Sequence, residues 1–355
     1  MPPTQELTIE RHDRIDPLAA EWDELVDRTT QMPWVRPGWM AAWWQAFGRG
    51  QLELLAVRRT GRLVGMLPLE RRPGRTGSAT NSHSPGFCLL AEDDTVRRAL
   101  ADALMRRRVR QVTLRYLPAD GAGLAECREA ARAAGRLLFT RPILRSPYVP
   151  IEGDWAAYAQ VVGPRKLSKL RRWRRQLERL GRLSVDVQDG RERLDQLLAE
   201  GWRVERSGWK GRRGTAVASR ADTLRFYRVV ACWAADRGWL RLAFLRLDGH
   251  PLAFDFCIEE NGVHFVVKTG YDEDWRRYGP GVLLRHAMLV RAFALQLDRY
   301  ELLGADDAWK ADWTDKSHQL TVLQAFTRSP LGLVAWAAWA HGQPVARRLL
   351  AARGR

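Results

Sequence analysis

Two dipeptides, Asp248-Gly249 and Asn261-Gly262, punctuate the apolar segments of the second half of the chain and constrain its fold more than any other feature. Each pair accepts positive φ at both central positions of a two-residue hairpin turn, whose twist matches that of the strands it joins. The segments they separate, Leu240 to Leu247, Leu252 to Ile258 and Val263 to Thr269, therefore read as antiparallel strands. A loop from Gly270 to Gly281 leads into a long amphipathic helix, Val282 to Leu295, and then a strand, Arg299 to Leu303. Hairpins followed by a loop, a helix and a returning strand give an α/β fold with a mixed sheet.

The first half repeats this order loosely. Helices begin at Asp16-Pro17 and at Pro37, the second carrying Trp39, Met40, Trp43, Trp44 and Phe47 before Gly48. Leu52 to Arg58 and Leu63 to Glu70 form a hairpin at Thr60-Gly61, and Arg71 to Pro85 reads as a loop by composition. A helix over Thr95–Arg107, a strand over Val112–Tyr116 and a helix over Leu124–Ala134 follow. This element order predicts a degenerate duplication. The proline-marked extended stretch Thr140 to Gly153 ends the first domain, so the expected domains are 1–153, 154–330 and a basic amphipathic tail helix, 331–355.

A chain of 355 residues is long enough for two such cores. Its net charge of +17 raises the question of an anionic partner, but only six residues are lysine, so arginine supplies nearly all of the excess. The sharpest concentration is a helix from Arg165 to Gly181, whose Leu167, Leu170, Trp173, Leu177 and Leu180 form a docking stripe. Its opposite face is cationic through Arg182, a candidate site for an anionic ligand such as RNA or lipid. Cys88, Cys127, Cys232 and Cys257 form no C-x-x-C pair, which points to a reduced compartment and to no structural metal. The longest apolar run, Leu331 to Ala340, is too short to span a bilayer, which takes about 20 residues. A cytoplasmic protein is expected, with the tail as a candidate for peripheral membrane contact.

The loop before the long helix reads Arg276-Arg277-Tyr278-Gly279-Pro280-Gly281. Glycines allow close backbone approach, a helix start offers N–H groups and a positive dipole end, and two arginines add charge. A diphosphate suits such a cradle. The R-x-x-G-x-G pattern, placed between a strand and a helix, resembles the phosphate-binding signature of GNAT acetyltransferases. With the Trp-rich opening Trp34–Phe47, the basic helix from Pro164, Leu247–Ala253 and Leu303–Trp313, the chain is similar to the BioF2-like or CelD/BcsL group of tandem GNAT-type acetyltransferases, and more distantly to the Fem aminoacyltransferases.

The resemblance implies an acyl-CoA co-substrate, acetyl-CoA being the usual one, and no metal. The acyl carrier would lie on Val267, Lys268, Arg276, Arg277, Gly279, Gly281 and Val282, with a small or polymer-linked acceptor of cell-envelope or polysaccharide metabolism. The general base stays open. Asp255 is a candidate because it interrupts an apolar strand; Glu301, Asp306 and Asp307 are candidates at the end of the last strand. Lys310 is a candidate for a phosphate or substrate carboxylate, and His264, inside a strand, reads as a packed imidazole. In the family pattern a Tyr precedes the lysine; here Trp309 stands there.

Overall fold

The structure, a computed structural model, describes residues 6–30, 32–212 and 214–340. The chain divides into two compact units, Met1–Leu144 with Gln319–Arg355, and Arg145–His318. The break thus falls before the predicted position at 153, and the residues from Gln319 onward go back to the first unit. A helical segment covers 330–340; the rest of the predicted tail helix lies outside the described residues.

In the first unit the elements run β1 (Leu7–His12), α1 (Ala19–Thr29), α2 (Pro37–Phe47), β2 (Gln51–Arg59), β3 (Arg62–Arg72), β4 (Arg75–Ser78), the short β5 (Leu90–Ala91), α3 (Asp94–Met105), β6 (Gln111–Pro118) and α4 (Leu124–Ala133). The chain continues through β7 (Leu137–Pro150), α5 (Trp155–Val162), α6 (Pro164–Glu178), β8 (Leu183–Gln188), α7 (Leu194–Ser207), α8 (Trp209–Arg212) and α9 (Ala221–Asp236). Then come β9 (Leu240–Leu247), β10 (His250–Glu260), β11 (Val263–Tyr271), α10 (Pro280–Ala294), β12 (Arg299–Glu301), α11 (Ala308–Ala311) and β13 (Ser317–Phe326).

The first unit's sheet is ordered β1-β2-β3-β4-β6-β13, antiparallel throughout except for the parallel pair β4–β6. That of the second unit is ordered β8-β9-β10-β11-β12-β7, antiparallel except for the parallel pair β11–β12. The two patterns are the same, which gives the duplication a structural form. Their last strands are exchanged: β7 follows β6 in sequence but pairs with β12, while β13 follows β12 but pairs with β6.

Local chemistry explains most of this. The three dipeptide turns take left-handed φ at both residues: 48° and 82° at Thr60-Gly61, 48° and 81° at Asp248-Gly249, 47° and 76° at Asn261-Gly262. The stretch Arg71–Pro85, expected as a loop, instead holds β4 after a tight turn at Pro73-Gly74. Gly77 makes this pairing feasible, since a Cβ there would lie 2.7 Å from the Thr113 carbonyl oxygen of β6. The edge strands β1 and β8 and the helix α5 leave no mark in the sequence pattern.

In the second unit both faces of β10 are covered. Phe254 and Phe256 meet Trp202 of α7, at 5.4 and 5.8 Å between ring centroids. On the other face Ala253 and Cys257 join a core with Leu284, Met288 and Ala292 of α10. Asp255 belongs to that second face, a carboxylate among apolar neighbours. The first unit's core is built the same way from α3 and α4 residues, such as Leu100, Leu104 and Cys127, against Val57, Leu67 and Leu114.

Candidate active site

β11 and β12 pair in parallel only from Val263–Phe265 to Arg299–Glu301. Beyond that point they separate, and a cleft of about 540 Å³ opens between Val266–Tyr271 on one side and Leu302–Ala305 on the other, reaching Gly279–Val282 at the start of α10. The register of β10 and β11 shifts inside the cleft wall: Phe256 faces Lys268 but Cys257 faces Val266. Val267 is thus the extra residue of a β-bulge, which turns the local backbone out of the ladder.

Gly279 caps α10 in the left-handed region (φ 55°, ψ 49°), and Pro280 holds the first helical position. The two motif glycines serve different ends. A Cβ on Gly279 would lie 2.4 Å from the Trp173 ring, so the indole of α6 packs into the space that glycine leaves. A Cβ on Gly281 would meet Tyr271 no closer than 3.4 Å, across the open groove. The helix start is less generous with donors than its sequence implies: Pro280 has no N–H, and the amides of Val282 and Leu283 both donate to the Gly279 carbonyl at 3.0 Å.

Of the residues predicted for the acyl carrier, Val267, Lys268, Arg276, Gly279, Gly281 and Val282 line the cleft. Arg277 does not. Its guanidinium lies 4.6 Å from the Tyr278 ring centroid and donates to the Tyr278 hydroxyl at 2.5 Å. Asp307 and Lys310 also line the cleft. The Lys310 ammonium, 5% exposed as a residue, donates to the carbonyls of Leu303 and Ala305 at 2.6 Å each. It thereby holds the loop in which Leu303 and Gly304 both take positive φ, instead of waiting for a phosphate.

Asp255 and Glu301 lie outside the cleft lining. Asp255 is buried and accepts from Arg285 Nη2 at 3.0 Å, so its carboxylate is engaged in a buried ion pair and does not line the cleft. Glu301 Oε1 accepts from Arg299 at 2.6 Å and contacts His318 Nε2 at 3.0 Å. His264 is buried too, its Nδ1 3.0 Å from Glu259 and its ring stacked on Tyr300 at 4.7 Å. Burial lowers its pKa, with Glu259 opposing.

Three cleft residues, Trp173, Glu205 and Arg285, are not among those that the sequence pattern assigns to a site. Glu205 is 2% exposed and accepts the Val217 N–H at 2.9 Å; Arg285 is 1% exposed and also hydrogen-bonds the Tyr300 hydroxyl. A signal existed for both charged residues. Glu205 follows Leu197 and Gly201 at four-residue steps, and Arg285 precedes Leu289 likewise, so each charge stands in a core-facing stripe. Removal from water lowers the pKa of Lys268, with Glu205 acting against the shift. Among the described residues, no group of three or more His, Cys, Asp or Glu is placed to hold a metal ion. No described helix is long and apolar enough to cross a membrane.

Comparison with known proteins agrees with this geometry. Residues 164–311 match the family described as "Acetyltransferase (GNAT) domain", so a GNAT-type acetyltransferase domain occupies the second unit. The fold resembles the crystal structure of FemX at 13% identity and a TM-score of 0.60, over 92% of this chain and 100% of that one. It also resembles L-PGS from Bacillus licheniformis at 12% identity and a TM-score of 0.52, over 90% and 95% of the two chains. A conserved protein of unknown function from Bacteroides thetaiotaomicron gives 9% identity and a TM-score of 0.57, over 90% and 100%. No curated protein sequence matches the chain.

Proposed function

We propose that the second unit is an acyl-CoA-dependent N- or O-acyltransferase, in its simplest form an acetyltransferase of the BioF2-like or CelD/BcsL kind. The observation that carries this reading is a groove open between two splayed parallel strands, bulged at Val267 and ending at the glycine-lined start of α10. Gly281 and Arg276 fit a diphosphate, with Val282 lining the groove, and the β11 backbone at Val266–Lys268 fits the amide-bearing arm of the carrier. When bound, the thioester supplies an activated acyl group. Main-chain N–H groups at the bulge are the donors for the oxyanion that forms on attack. Glu205, the carboxylate of the cleft that is out of water, takes the proton of the acceptor amine or hydroxyl, with Lys268 beside it; the C–S bond then breaks and CoA leaves as the thiolate, which recovers that proton. Lys310 acts as a positioning residue for the acceptor-side loop.

Calorimetric titration with CoA and acetyl-CoA tests the reading. Arg276→Glu and Gly281→Val should each weaken binding by about tenfold or more, the first by charge reversal and the second by filling the groove. Unchanged affinity in both variants overturns it.

An aminoacyl-tRNA donor is the second reading, and one observation favours it. Arg171, Arg172, Arg174 and Arg175 are exposed on α6, the helix that carries Trp173 into the cleft, and Arg179 is exposed just past its end. RNA binding that falls steeply with salt and depends on these arginines would support it. Acyl transfer from acetyl-CoA, unaffected by their replacement, would exclude it. A cytoplasmic location and an acceptor from envelope or polysaccharide metabolism complete the proposal.

A further inference from the structure

The first unit has a second cleft, of about 970 Å³, with a different chemistry. Seven arginines line it: Arg11 of β1, Arg49 before β2, Arg71 and Arg72 at the β3–β4 turn, and Arg106, Arg107 and Arg108 after α3. We propose that this cleft binds a small molecule carrying two or more phosphate groups.

Four observations support the assignment. First, acids are scarce there. Glu53 serves Arg11, at 3.8 Å, and Arg107; Glu70 serves Arg72 at 2.9 Å and also accepts the amides of Arg49 and Gly50; Asp102 lies 3.8 Å from Arg106. Among the described residues Arg49, Arg71 and Arg108 form no ion pair. Other arginines of the chain sit among carboxylates that neutralise them, as at Arg58 with Glu10 and Glu21 or Arg246 with Asp186 and Glu200.

Second, the Arg107 side chain is only 7% exposed, and its Nε and Nη1 are buried without an acceptor. Guanidinium donors taken out of water and left unpaired are costly, and an anion bound in the cleft beside them would offset their charge. Third, the arginine loop is preorganised. Buried Arg136 donates to the carbonyls of Met105 at 2.6 Å, Arg107 at 2.5 Å and Val109 at 3.1 Å, bracketing the three arginines. Fourth, the lining has no aromatic ring for base stacking and only Pro73 and Val109 as larger apolar surface, so a compact ligand fits the concavity better than RNA bases or a bilayer.

The cleft is not a relic of a donor groove. It lies where β4 and β6 begin, whereas the groove of the second unit lies where β11 and β12 end. In the first unit the corresponding gap is closed: the Phe87 N–H bonds to the Tyr116 carbonyl of β6 at 3.0 Å, and Phe87 and Leu89 fill the core.

The test is calorimetry of the full chain with inorganic pyrophosphate and tripolyphosphate, repeated on Arg276→Glu to separate the two clefts: polyphosphate binding at the arginine cleft should survive that change. Wild type should bind the polyphosphates, and Arg71→Glu/Arg108→Glu should weaken this by at least about tenfold while leaving CoA affinity and the circular-dichroism melt unchanged. Both replaced side chains are on exposed residues, so the fold should tolerate them. Equal affinity in wild type and variant, or no polyphosphate binding at all, overturns the proposal. So does a short RNA hairpin or a phosphatidylglycerol vesicle that needs these arginines and is not displaced by pyrophosphate.

Discussion

Replacing Asp255 with Ala should lower the stability of the second unit by about 3–5 kcal/mol. Asp255 and Arg285 are each 1% exposed and meet at 3.0 Å, between β10 and α10. Asp255 Oδ2 and Arg285 Nε have no partner of their own, so the pair already sits at the edge of satisfaction. Removing the carboxylate leaves a guanidinium in an apolar core, with the Tyr300 hydroxyl to accept from it and no countercharge at hand. Urea denaturation followed by tryptophan fluorescence measures the loss. Arg285→Met in the Asp255→Ala background should restore part of it, because the stranded charge is what costs. A loss under about 1 kcal/mol, with acyl transfer abolished, would return Asp255 to the role of base.

The two motif glycines should separate by mutation. Gly279→Ala must take a left-handed conformation, about 1–2 kcal/mol for an alanine, and push its methyl into Trp173. With the packing strain the expected loss is about 2–4 kcal/mol. Gly281→Ala meets only Tyr271 at van der Waals distance inside a helix, so it should be neutral or stabilising by up to about 1 kcal/mol. Thermal melts of both variants and of Gly279→Ala/Trp173→Ala decide the matter: the double variant should recover the packing part but not the backbone part. Equal melting of the two single variants would mean that Trp173 gives way freely. The loop would then be a ligand cradle at both glycines.

These contrasts show where the sequence was informative. Turns were legible because two residues with positive φ leave a compositional mark, as at Asn261-Gly262. The glycine-lined entry to α10 was legible because glycine, arginine and a helix start fall within a few residues of each other. Local pattern could not say that Arg276 faces the cleft while Arg277 turns to Tyr278, since adjacent residues look alike in sequence and differ only in direction. Glu205 and Arg285 were missed because a charged residue on a helix is ordinarily solvated, and only the stripe it shares with leucines marks it. Strand β4 was hidden by glycine, serine and arginine, which form a strand there because β6 lies within 2.7 Å of where a side chain would go. The arginine cleft needed four separate segments to converge, and no spacing announces that.

The exchanged last strands carry a consequence for how this molecule comes into being. A ribosome delivers β7 long before its partner β12, and β6 must wait for β13 until the whole second unit has emerged. The first sheet then keeps an unpaired edge at β6 while β7 waits without its partner, each a template for the wrong neighbour. The halves cannot ripen one after the other like beads on a string. Cleaving the polypeptide between them would leave two incomplete sheets, each short of the strand carried away by the other piece.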